Sequence, residues 1–199
     1  IGLLIIGCSN SKSKKEEITK TYKELENESL STGIKKDSLY LGFVFGMTKN
    51  EFDKKTSELI KKNQIQLTKE GALISIMNTG NYELYSSSNY FFDKEKLFRV
   101  VQHIYPKKSK KTSSTEKGIG IDILNLIEKD GAKRYENGSQ KSKYFWLKGN
   151  KRIDFFDTEN KYIISSSDIS KEREIIARTE KEAKEKIEME KNEEKSIFA

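Results

Sequence analysis

Cysteine is nearly absent from this sequence: Cys8 is the only one in 199 residues. A single thiol closes no internal disulfide, so the chain is no disulfide scaffold and pairing reveals nothing of its redox compartment. Histidine is equally scarce, and His103 with Cys8 makes neither a metal-ligand cluster nor a Cys/His nucleophile pair. No apolar run approaches the roughly 18 to 20 residues that a spanning helix needs. The glycine-rich stretch Gly118-Ile119-Gly120-Ile121-Asp122 lacks the third glycine and the preceding strand of a phosphate loop. These absences leave no motif for catalysis and no cofactor expected, so the chain reads as a non-enzyme.

Charge is what the chain has in quantity. Charged residues make up 35% and hydrophobic ones 34%, enough apolar material for one core or two small ones. The net charge of +7 is unevenly spread. Residues 39–167 are the basic part, and residues 168–199 carry an excess of acid. The densest cationic cluster, Lys107, Lys108, Lys110 and Lys111, follows the only proline, Pro106, and is expected as an exposed loop offering a patch to an anionic ligand.

The chain opens IGLLIIGCSNSKSKK, an apolar run that ends on the lone cysteine and passes at once into lysine-rich sequence. Its first residue is not methionine, so an upstream start is expected, and the run has the form of the end of a secretory signal. Leu4-Ile5-Ile6-Gly7-Cys8 resembles the lipobox of bacterial lipoproteins. That resemblance implies that residues 1–8 end a cleaved leader and that Cys8, as first residue of the mature chain, carries lipid. Several acyl chains together anchor firmly where one alone holds weakly. The other reading of this run is a buried strand with Cys8 as a small core residue, which periodicity does not separate from the first.

Residues 9–38 are Lys, Glu, Ser, Asn and Thr with scattered aliphatics, a composition expected to form a flexible tether. An α+β domain is expected over 39–168. Leu41, Phe43 and Phe45 alternate as in a strand that ends at Gly46. Thr48 and Glu51 then form a capping box, with Met47 and Phe52 as its staple. A helix over 49–62 would bury Phe52, Thr56, Leu59 and Ile60. Ser113 and Glu116 offer a second capping box, and Ile119, Ile123, Leu126 and Ile127 repeat the spacing before Gly131, a C-cap candidate. Strand-like sequence follows each helix, with turns expected at Thr79-Gly80, 93–96, Gly149-Asn150 and 157–160. The fold expected is therefore a helix on an antiparallel meander sheet, present as two similar repeats over 39–105 and 113–168. A charged, solvated helix over 169–199 completes it, with Glu174/Arg178 and Glu180/Lys184 as its stabilising pairs.

The stretch Phe45-Gly46-Met47-Thr48-Lys49-Asn50-Glu51-Phe52 resembles the Gly-Met-Thr helix start of small envelope lipoproteins of the SmpA/OmlA type. The tandem helix-plus-meander pattern is similar to the β-lactamase-inhibitor-protein fold. Trp146, Gly149 and Ile153 match a strand pair found in uncharacterised Bacteroides-type lipoproteins. The second helix lacks Gly-Met-Thr, and the disulfides of the inhibitor proteins have no counterpart. What the resemblance implies is a binding fold without an active site.

Individual residues fit that picture. Strand alternation puts Leu97, Arg99, Val101, His103 and Tyr105 on one face, where a lone histidine reads as structural. Asp154 alternates with Ile153 and Phe155 and is expected in solvent, not paired with Asp157. Aromatic residues cluster on both meanders, including Tyr85, Phe91, Trp146 and Phe156, and a sheet face carrying them suits a protein partner. Two functions follow. One is a lipoprotein held in the bacterial envelope by lipid on Cys8 and binding another envelope protein. The alternative is a basic module that binds a polyanion such as anionic lipid or a wall polymer; nucleic acid is a poor fit for an exported chain.

Overall fold

The computed structural model describes residues 20–197 apart from 80, 107–112, 130–132, 137–143 and 159–160. Its helices are α1 (Tyr22–Ser31), α2 (Lys49–Lys61), α3 (Ser113–Glu128) and α4 (Ile169–Ile197). Its strands are β1 (Ile65–Leu67), β2 (Leu73–Asn78), β3 (Glu83–Asp93), β4 (Lys96–Pro106), β5 (Lys133–Glu136), β6 (Tyr144–Lys148), β7 (Lys151–Asp157) and β8 (Tyr162–Asp168). The fold is α+β: one antiparallel sheet in the order β1-β2-β3-β4-β8-β7-β6-β5, with helices on both faces. One run of four strands follows α2 and another follows α3, and the two meet along β4 and β8. Strand order by itself does not establish that one unit was duplicated.

Each helix start has a local cause. The Thr48 hydroxyl accepts from Glu51 N, and the Glu51 carboxylate accepts from Thr48 N at 2.8 Å, closing the expected box. Phe52, Thr56 and Leu59 then face the sheet, while Ile60, expected inside, stands exposed at the rim. Ile119, Ile123 and Ile127 of α3 are buried as their spacing requires. Ser113 is the first helical residue; its side chain, that of Glu116, and Gly131 lie outside the described residues.

The turns fall where glycine, asparagine and aspartate place them. Asp93 pairs with Lys96 around Lys94 and Glu95, both at positive φ, as a two-residue hairpin of primed type demands. Lys148 pairs with Lys151 around Gly149-Asn150. The remaining two are closed by Thr79 N to Tyr82 O and by Thr158 N to Lys161 O.

Three expectations are corrected. The stretch from Leu41 to Phe45 is not a strand: Tyr40–Gly42 forms a 3-10 turn in which Leu41 has φ 60, and Val44 beyond it makes an isolated bridge with Ser38. Phe43 and Phe45 are buried nonetheless. Within the stretch expected as a tether, residues 22–31 form α1, opened by a second capping box at Thr21 and Glu24 and packed on the sheet. The alternation along β4 also breaks. Phe91 pairs with Arg99 but Phe92 with Leu97, so Phe98 is an inserted bulge residue, and Leu97 joins Val100, Gln102 and Ile104 on the opposite face from Arg99.

Candidate binding sites on the sheet

The helical layer formed by α2 and α3 rests on two apolar clusters rather than one. Phe43, Phe52, Leu59, Ile65, Leu73, Leu97 and Val100 pack under α2. Under α3, Trp146 and Phe155 pack with Ile104, Ile119, Ile123 and Ile164. On the strands between, inward positions are short or polar: Ser86, Ser88, Gln102 and Ser166, all buried, with Gln102 Nε2 donating to Ser86 Oγ at 3.3 Å. Small side chains there leave space unfilled. The result is a cleft of about 390 Å³ walled by Met77, Val100, Ile123, Leu126, Ile127, Ile153 and Ile164, with Tyr40, Tyr90, Gln102 and Ser166 contributing polar atoms. Burial holds the Tyr90 phenol well above its usual range and shifts Tyr40 in the same direction, which favours the neutral phenol.

A strap of residues 33–40 brings Ser38, Leu39 and Tyr40 to the cleft, and the β6–β7 turn holds it down. Lys36 N donates to Asn150 Oδ1 at 2.6 Å, Asn150 Nδ2 donates to Asp37 Oδ1 at 3.3 Å, and Lys151 Nζ donates to Ser38 O at 2.8 Å. Tyr40 closes the far side by donating to Ile76 O at 3.2 Å.

Among the described residues the other face of the sheet is only partly covered. Here α1 lies over β6, with Tyr22 against Phe145 at 4.8 Å between ring centroids. The first turns of α4 reach the β3–β4 turn, where Arg178 and Lys171 bind Asp93 and hold its carboxyl down at about 2, the Arg178 hydrogen bond being the largest cause. Neither helix covers the rest. Ile76, Tyr85, Phe91 and Tyr105 are 45, 40, 43 and 36% exposed. Register lines up Ile76, Tyr85 and Tyr105 across β2, β3 and β4, with Ser87 and Asn89 alternating between the β3 aromatics.

A buried ion network ties α1 and α4 to this face. Arg152 on β7 binds Glu26 of α1 at 2.9 Å, Asp154 of its own strand at 2.9 Å and Glu172 of α4 at 2.6 Å. Arg173 of α4 returns to Glu26 at 2.9 Å. Burial lowers the proton affinity of the Arg152 guanidinium, but the surrounding carboxylates more than restore it, Asp154 foremost. Asp154 is therefore buried, not in solvent as alternation suggested, because Arg152 gives it a partner under α1. Burial raises its pKa against the pull of Arg152. Asp157 is exposed, apart from this group.

Other expected residues fall as follows. Cys8 and Lys107, Lys108, Lys110 and Lys111 lie outside the described residues. His103 sits half-buried between Ser87 and Ile163, with Nδ1 buried and unpartnered among the described residues, and burial, then Lys161, lowers its pKa. Trp146 is fully buried and belongs to the core, not to a partner surface. Arg178 pairs with Asp93 and Glu182, while Glu174 takes Lys171 in place of Arg178. The described residues of α4 from Thr179 to Lys191 are exposed.

The cleft gave no signal in the sequence, although the run Ser86-Ser87-Ser88 marks where the inward face of β3 turns small. Among the described residues no group of His, Cys, Asp and Glu is placed to hold a metal, and no helix is long and apolar enough to cross a membrane. Comparison with protein-family models, with curated proteins and with solved structures finds no match to this chain.

Proposed function

We propose that this protein is a non-catalytic envelope lipoprotein, anchored through lipid on Cys8, whose uncovered sheet face binds another envelope protein. The observation that supports the binding surface is its composition. Along β3 Ser87 and Asn89 lie between Tyr85 and Phe91, Ile76 and Tyr105 flank Tyr85, and the Arg99 guanidinium stands over Phe91. Rigid aromatic anchors set among small neutral hydrogen-bonding residues are the make-up of protein-recognition surfaces. The buried ion network adds a geometric consequence. Because α1 belongs to the domain, thirteen residues run from Cys8 to Lys20, just before α1, a reach of at most about 45 Å. The module would then work close to the bilayer, in the manner the SmpA/OmlA-type resemblance implies.

The test is site-specific photocrosslinking in the bacterial envelope. A photoreactive residue at Tyr85 or Tyr105 is expected to trap one discrete envelope protein, and the same group at exposed Lys54 on α2 is not. Equal labelling from all three positions would remove the outer face as the binding surface.

A further inference from the structure

The cleft under the strap is a second site, independent of the uncovered face. Its lining residues run from Met77 and Asn78 on β2, across Tyr90, Val100, Gln102, Ile164 and Ser166, to Ile153 and Lys151 on β7. In sheet order that path crosses β2-β3-β4-β8-β7, four inter-strand spacings, or about 19 Å. It is elongated, and its volume falls in the range of small-molecule sites. Filled with water it would hold on the order of a dozen molecules against mainly aliphatic walls that offer them few hydrogen bonds. A ligand that replaces that water with methylene groups gains the hydrophobic term.

Charge marks one end. Among the described residues Lys151 is the only charged one lining the cleft, and it stands at the β7 end beside Ser38. The remaining polar lining is neutral: Gln102, Ser166, Asn78 and the two tyrosines.

We propose that this cleft binds one unbranched acyl chain, its carboxylate end toward Lys151 and its methyl end toward Met77. Residues 36–38 of the strap are then the door: they bury no aliphatic side chain and are held by hydrogen bonds to Asn150 and Lys151 and by Phe45 N donating to Asp37 O, whereas Leu39 and Tyr40 pack on the two clusters and stay in place. The acyl chain can come from a free fatty acid or from a membrane phospholipid, and the two are separable.

Trp146, the only tryptophan, pairs across strands with Ile153 of the cleft wall, so its fluorescence reports on the cleft. A chain-brominated palmitic acid titrated into the full chain is expected to quench Trp146 saturably at one equivalent, and unlabelled palmitic acid is expected to reverse it. Ser166→Leu, which fills the floor, and Leu126→Phe, which fills the wall from a half-buried position, are each expected to weaken quenching at least tenfold with unchanged circular dichroism. Should one of the two fail to fold, the other decides. Lys151→Met is expected to weaken the acid about tenfold and leave the corresponding brominated alcohol unaffected. Phosphatidylglycerol vesicles with brominated chains form the second arm: quenching there as well as by free acid identifies a lipid-extracting site, and quenching by free acid alone identifies a fatty-acid site. No saturable quenching by either probe overturns the proposal, as does quenching that survives both filling variants. Equal loss of acid and alcohol in Lys151→Met overturns the assignment of the carboxylate end.

Discussion

A β-carbon placed on Gly149 would lie 1.9 Å from the carbonyl oxygen of Ile34, closer than any side chain can approach a backbone atom. Gly149 also has φ 59, so the residue is required twice, by its conformation and by the strap that passes over it.

Gly149→Ala is therefore expected to unseat the strap and cost about 2 to 4 kcal/mol, the range of strained or clashing backbone substitutions. Gly46 provides the contrast. It has φ 78, and a β-carbon added there would meet nothing within 4 Å, so Gly46→Ala should cost only the left-handed strain, about 1 to 2 kcal/mol. Urea denaturation of the two variants checks the difference, and equal losses would show that the strap does not rest on the turn.

Arg152 is 16% exposed and holds three carboxylates that are between 8 and 13% exposed. Arg152→Ala leaves Asp154 and Glu172 buried without their guanidinium and Glu26 with Arg173 alone, a change expected to cost about 3 to 5 kcal/mol. Limited proteolysis should then cut within α1 first. Arg152→Lys should recover little, because one ammonium does not reproduce a guanidinium fork facing Glu26, Asp154 and Glu172.

The contact of α4 with the β3–β4 turn should be lost in acid. Asp93 falls from its ordinary 3.8 to about 2 through its hydrogen bond with Arg178, and then that with Lys171. The folded value lies below the unfolded one, so the contact contributes fully above pH 4 and disappears as the pH falls toward 2. Hydrogen exchange in the first turns of α4 should rise across that interval. Asp93→Asn should show the faster exchange already at neutral pH and lose the acid step.

How much of this was legible depended on whether the signal was local. Capping chemistry is local, so Thr48 and Glu51 marked α2 correctly. The same pattern at Thr21 and Glu24 was equally readable, yet the polar composition of residues 22–31 masked a helix whose inward side is three half-buried apolar residues, Tyr22, Leu25 and Leu30, around the ion-paired Glu26. Turn residues are local too, and the chain reverses at all four expected hairpin positions. What could not be read depended on distant partners. Asp154 looked solvent-facing because α1, whose Glu26 meets it at Arg152, comes from elsewhere in the chain. The bulge at Phe98 reverses the face of Leu97 without any glycine or proline to announce it. The cleft arises from serines on β3 and β8 that only register brings together across β4.

The central claim is the anchor, and the N-terminal peptide tests it most directly. The gene with its natural upstream sequence should be expressed in a bacterial host, the protein taken from the membrane fraction, and the peptide that begins at Cys8 weighed by mass spectrometry. A chain that starts at Cys8 and carries the added mass of a thioether-linked lipid with acyl chains is the predicted result, with Cys8→Ser releasing the protein from the membrane. An unmodified Cys8 inside an uncleaved chain would contradict the account.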